Sequence, residues 1–178
     1  KKMTKKIIIR LSNNIGNQMF MYSAAYSMAK KLNLGVIGID HGHIFDMLDE
    51  MLKEGCNCNY FWTEGDPLTL QEFIKKYPNI KRKENKEDIL NDSSIDMILI
   101  SSIPVDRAAH SIDALKAGKD VMVDKPGCTT LDQLNNLKKT VKETGKIWSI
   151  NFSERFHVAA VTKAEELVSE DKIGKVKQ

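Results

Sequence analysis

Long apolar runs are missing from this sequence. No stretch nears the ~20 apolar residues that a membrane-spanning helix needs. The stretch 19–29 follows lysines, but Arg10, Asn13, Asn14, Asn17 and Gln18 break up the apolar core that a secretory leader would have. Cysteine is scarce. Three residues, an odd number, make no disulfide framework and point to a reducing compartment, with the cytoplasm expected. Aromatic residues make up 7% and are not interleaved with basic ones, which excludes a single-strand nucleic-acid platform. Charge of one sign never accumulates. The net charge of +3 is spread over alternating stretches such as Lys81-Arg82-Lys83-Glu84-Asn85-Lys86-Glu87-Asp88, a solvated surface and not a footprint for nucleic acid or membrane. No linker, internal repeat or low-complexity segment stands out.

What remains is an ordinary soluble composition, 42% hydrophobic over 178 residues, enough for one good core and marginal for two domains. Short β-branched or apolar runs alternate with helical periodicity along almost the whole chain. Strands are predicted at 7–9, 35–39, 57–62, 80–83, 95–103, 121–123 and 147–152. Helices are predicted at 18–33, 43–54, 66–77, 86–90, 106–116, 130–143 and 158–169. Asp66 suits one helix N-cap and Thr129 or Thr130 another, and Gly55, Gly118 and Gly145 suit helix ends. The alternation implies βαβ units: an α/β, Rossmann-like parallel sheet with helices on both faces, plus an extra N-terminal strand-helix unit. The chain closes on a turn that leads into what reads as a new strand, so a following element is expected to be missing.

Two loops carry the chemistry. Ligands of an open parallel sheet bind outside the carboxyl ends of its strands. Gly38-Ile39-Asp40-His41-Gly42-His43 ends one predicted strand and opens a helix, as a phosphate-binding turn does. Against the G-x-G-x-x-G spacing only Gly38 is kept. Asp40 and His43 stand at the other two glycine positions, and Gly42 falls one residue early. Asp40 sets a carboxylate against a pyrophosphate, while His41 and His43 can donate hydrogen bonds to it. The second loop, Asp124-Lys125-Pro126, ends another strand and brings an ammonium group to the same edge, a candidate catalytic group. Glu64, at the end of the next strand, is the candidate for binding a ribose hydroxyl. Ser101, Ser102 and Pro104 end the most apolar strand and would pass over a dinucleotide. Asn151, Glu154 and Arg155 form a polar strand exit. His41 and His43 with Cys56 and Cys58 do not make a shared metal site, because the two pairs fall at opposite ends of parallel strands, and no metal is expected.

From Gly35 onward these features, in this order, resemble the NAD(P)-binding half of the Gfo/Idh/MocA oxidoreductases. The resembling stretches are Gly35-Val-Ile-Gly-Ile-Asp-His-Gly-His-Ile44, Ser94-Ile-Asp-Met-Ile-Leu-Ile100, Ala117-Gly-Lys-Asp-Val-Met-Val-Asp-Lys-Pro126 and Ile173-Gly-Lys-Val176. The resemblance implies NAD or NADP as cofactor, a sugar or polyol as substrate, and Lys125 as a catalytic residue near the nicotinamide. It implies cofactor contacts from Gly38, Asp40, His41, Gly42, His43, Glu64, Ser101, Ser102, Pro104, Asp124 and Pro126. It also implies a C-terminal substrate domain, not seen in this sequence, that supplies further catalytic groups. The chain alone is therefore expected to be inactive and prone to self-association. A histidine that the family often carries four residues past the proline is replaced here by Ala108.

Residues 7–33, with Gly16-Asn-Gln-Met-Phe20 at their centre, resemble the start of glycosyltransferase family 11, the α-1,2-fucosyltransferases, without the basic motif that would hold GDP-fucose. The expected organisation is a fucosyltransferase-like extension at 1–34 followed by a dinucleotide-binding domain at 35–178, a hybrid arrangement. The alternatives are a binding module that keeps the fold without cofactor, and a fucosyltransferase fragment.

Overall fold

The structure, a computed structural model, describes residues 32–152 and 159–174. The strand-helix unit expected within 1–34 falls almost wholly outside the described residues, as do Glu154 and Arg155. Six parallel strands form one sheet: β1 Asn33–Ile37, β2 Asn57–Trp62, β3 Lys81–Arg82, β4 Met97–Ile100, β5 Asp120–Asp124 and β6 Trp148–Asn151, in the order β3-β2-β1-β4-β5-β6. The helices are α1 His43–Lys53, α2 Leu70–Lys76, α3 Lys86–Leu90, α4 Arg107–Lys116, α5 Leu131–Thr144 and α6 Ala159–Ser169. Among the described residues no helix is long and apolar enough to cross a membrane.

The sheet divides two cores. Leu34, Val36, Phe61 and Leu99 face Ile44, Leu48 and Phe73 on one side. On the other, Ile37, Ile98, Ile100, Val121 and Val123 face Ile89, Ala114, Leu115 and Leu137. Strands buried on both faces lose the polar alternation of a half-exposed sheet, which is why β4 reads as the unbroken run Met-Ile-Leu-Ile. Helix α5 begins at a capping box, with Thr130 Oγ1 accepting from Gln133 N, and ends at Gly145 in the left-handed region (φ 65°).

Two expected elements are shorter than their apolar patterns. The strand expected over 95–103 ends at Ile100, because the next backbone groups turn to the glycine loop: Ser101 N donates to Gly38 O (3.2 Å) and His41 N to Ser101 O (3.1 Å). The helix expected from Asp66 starts at Leu70. Asp66 does not cap it; its carboxylate meets Arg82 Nη1 at 2.9 Å.

The order places β1 beside β4 at the centre, so the chain leaves β1 for one side of the sheet and β4 for the other. The crevice between their carboxyl ends is the topological switch point, where open α/β sheets take their ligands.

Candidate functional site

Gly38 opens the crevice. Its φ of +74° lies where side chains are strained, and a Cβ there would sit 2.5 Å from Ser102 Cβ and 2.7 Å from Ser102 Cα. Only glycine lets the β1 and β4 loops close to this distance. Ser101 is fully buried, and its hydroxyl donates to His41 O (3.2 Å), so it joins the two loops instead of facing the crevice. The Ser102 hydroxyl is buried without a hydrogen-bond partner, and so is the Thr63 hydroxyl at the end of β2.

A cleft of about 230 Å³ opens here, lined by Gly38, Asp40, Glu64, Ser102, Asp106 and His110 among others. It thus joins three of the residues expected from sequence around the glycine turn and β2 with a serine from the β4 exit. Pro104 is exposed in the turn that leads to α4, and Gly42 is the exposed N-cap of α1, which has no side-chain cap. Asp40 is exposed at its surface, yet its carboxyl is pushed above the usual carboxylate range, first by partial desolvation and then by the nearby Asp106 and Glu64. Burial, followed by the Lys86 ammonium, holds His110 below the ordinary imidazole range.

The β5 exit is built around a buried ion pair. Arg107 and Asp124 have side chains 1% exposed and meet at 2.9 Å (Nη2 to Oδ2). Arg107 also donates from Nε to Ser102 O (2.7 Å) and from Nη1 to the carbonyls of Lys125 and Pro126. Desolvation lowers its pKa, opposed by the Asp124 charge. One side chain therefore clamps the β4 loop to the Asp124-Lys125-Pro126 loop, in which the Lys125–Pro126 bond is cis. Asp124 Oδ1 accepts from Lys125 N (2.8 Å) and lies 2.9 Å from His43 Nδ1, while His41 Nδ1 is 3.6 Å from Oδ2. Lys125 is half-buried and Pro126 exposed at this edge. The glycine turn, the β4 exit and the β5 exit thus meet through Asp124 and Arg107.

Arg107, Asp106 and His110 were not singled out by sequence reasoning. Asp106 and His110 stand four apart at the start of α4 and so share a face toward the crevice. That spacing was the available signal; nothing local marks Arg107 as buried.

The fold and its carboxyl-edge crevice define a Rossmann-type domain. Residues 64–152 match the model of an oxidoreductase family with an NAD-binding Rossmann fold, Gfo/Idh/MocA, and the chain belongs to that family. A putative oxidoreductase from Erwinia carotovora atroseptica SCRI1043 has a similar structure, with a TM-score of 0.75 and 34% identity over 82% of this chain and 44% of its own. Among curated proteins, a 1-carboxy-3-chloro-3,4-dihydroxycyclohexa-1,5-diene dehydrogenase of Comamonas testosteroni is 25% identical, over 82% of this chain and 36% of its own length. The NADP(+)-dependent scyllo-inositol 2-dehydrogenase of Bacillus subtilis (strain 168) is 23% identical, over 78% of this chain and 38% of its own. The chain therefore spans less than two-fifths of the length of these two curated relatives.

Proposed function

We propose that residues 35–178 are the dinucleotide-binding part of an oxidoreductase that moves hydride between a sugar or polyol carbon and a nicotinamide cofactor. The observation that carries this reading is the crevice at the β1/β4 switch point, with the Gly38 cradle on one wall and the orphaned Ser102 hydroxyl on the other. A cradle that a Cβ would fill, a buried hydroxyl without a partner and an uncapped helix start fit a bound dinucleotide. Bound NAD or NADP would supply the hydride acceptor.

Glu64 accepts from a ribose hydroxyl, as an acid at the end of β2 does in NAD sites. Asp40, Glu64 and Asp106 together oppose the additional phosphate of NADP, so NAD is the cofactor we favour. Lys125, held at the β5 exit by the Arg107 clamp, polarises the reacting hydroxyl with its ammonium group. Oxidation of that hydroxyl also needs a base, which we assign to residues beyond this sheet, together with most of the substrate pocket. The cyclic-polyol relative makes an inositol-like ring a reasonable substrate class. Ile150 and Phe152, exposed at the β6 edge, support self-association of the chain.

Asp40 favours a second reading, in which the chain keeps the fold as a binding module and has lost the cofactor. Residues 7–33, which resemble a fucosyltransferase start, lie outside the described residues but for Leu32 and Asn33, and this reading does not rest on them. Titration of the purified chain with NADH and NADPH, followed by nicotinamide fluorescence, separates the readings. Saturable NADH binding that strengthens in Asp40→Gly supports the oxidoreductase reading. A folded chain that binds neither nucleotide selects the binding module.

A further inference from the structure

His41, His43 and Asp124 come from two loops 81 residues apart and turn one ligand atom each toward a common point, all within 4.8 Å of one another. We propose that these three side chains form a site for a divalent transition-metal ion of the zinc class. The same side chains are those expected to contact a dinucleotide, but the metal proposal does not rest on that binding.

The spacing suits a metal. Ligands held at about 2.0–2.1 Å around a tetrahedral ion lie roughly 3.4 Å from each other. Here Asp124 Oδ1 is 2.9 Å from His43 Nδ1, and Asp124 Oδ2 is 3.6 Å from His41 Nδ1. His41, the most exposed of the three, can close the remaining distance by rotating.

The three side chains already meet through hydrogen bonds and ion pairs that a metal ion could replace in part. His43 N donates to His41 Nδ1 (3.2 Å), which makes that nitrogen a lone-pair acceptor. It lies 3.6 Å from Asp124 Oδ2, a buried carboxylate oxygen paired with the Arg107 guanidinium at 2.9 Å. A metal ion bound here would displace the proton between His43 Nδ1 and Asp124 Oδ1 and take the His41 Nδ1 lone pair that now accepts from His43 N, as metal binding to imidazole and carboxylate ligands requires.

The surroundings also fit. Arg107 and the Lys125 amide hold the carboxylate from behind, in the manner of outer-shell groups that orient a metal ligand. Arg107 and Lys125 bring positive charge, but Asp40, Glu64, Asp106 and Asp124 outnumber them, so a cation is not repelled from this edge. Three protein ligands leave at least one coordination position open, as in metal sites that take water or a substrate oxygen. Two imidazoles and a carboxylate select zinc, cobalt, nickel or iron over magnesium or calcium. The two buried cysteines do not compete: they start β2 at the opposite end of the sheet, and burial pushes the Cys58 thiol up to about 12.

Titration of the chain, free of any polyhistidine tag, with cobalt(II) tests the site through visible d–d absorption, with zinc(II) as competitor and no nucleotide present. One equivalent of cobalt, displaced by zinc and bound at least about 10-fold more weakly by both H41A and H43A, is the expected result. His41 is exposed and His43 partly so, and circular dichroism checks that each variant folds; D124N serves as a third variant. Absence of cobalt absorption, or binding equal to wild type in folded H41A and H43A, overturns the proposal. So does a thiolate charge-transfer band that vanishes in C56S or C58S. A chain that binds cobalt but not NADH keeps the metal site and loses the dinucleotide reading; the reverse outcome does the opposite.

Discussion

At Gly38 the backbone conformation and the neighbouring chain make one demand. A methyl group there would be strained at φ +74° and would press on the backbone of Ser102, which cannot swing aside as a side-chain tip can. Gly38→Ala is expected to destabilise the fold by about 1–3 kcal/mol or more, read from urea denaturation. Asp40 makes a milder demand, one that depends on pH. Its carboxyl pKa is raised in the folded chain, so the folded state holds its proton more tightly than the unfolded state does. Stability from this group is therefore present below the ordinary aspartate pKa and is lost as pH rises through the raised value. Asp40→Asn is expected to raise the melting temperature at neutral pH, and the gain should vanish in acid below the normal carboxylate range. A gain of equal size at both pH values would show that desolvation of the charge is not the cause.

At the scale of elements, the Arg107–Asp124 pair is the joint between β4, α4 and β5. Removing the cation alone leaves a buried, uncompensated carboxylate, and Arg107→Ala is expected to cost about 3–5 kcal/mol. Arg107→Ala combined with Asp124→Asn should recover part of that loss in the same denaturation experiment. If the double variant is no more stable than the single one, the stabilisation comes from Arg107's bonds to the Ser102, Lys125 and Pro126 carbonyls and not from the charge pair. This joint was not legible in the sequence. Asn57–Trp62 and Lys86–Leu90 were, because period and turn residues are local signals. The glycine turn and the Asp124-Lys125-Pro126 loop were also legible, since strand ends announce themselves by a change from apolar to polar residues. His43, Arg107 and Asp124 become neighbours only through the strand order. The overlong reading of β4 has the same origin: Ser101 looks like strand continuation until the glycine loop, some 60 residues earlier, takes its backbone bonds.

For the molecule as a whole, binding and folding share one free energy. On the proposed function a dinucleotide would span the β1 and β4 exits, and NADH at about 100 times its dissociation constant should then stabilise the chain by about 2.7 kcal/mol. That is a rise of several degrees in thermal unfolding. NADPH at the same concentration should give a smaller shift, because Asp40, Glu64 and Asp106 line the cleft. Equal shifts for the two nucleotides would remove these acids as the basis of discrimination.

The strand order also has a consequence for synthesis on the ribosome. β1 is made before β2, β3 and β4, yet it pairs with β2 on one edge and with β4 on the other, Leu34 against Met97 and Ile37 against Ile100. A nascent chain that has completed β1, β2 and β3 therefore carries an open, apolar strand edge while the intervening residues, including α3, are translated. During that interval β1 is a template for any extended segment nearby. Chaperone capture and mispairing between neighbouring nascent chains on a polysome would concentrate at Asn33–Ile37, until the arrival of Met97–Ile100 closes the centre of the sheet.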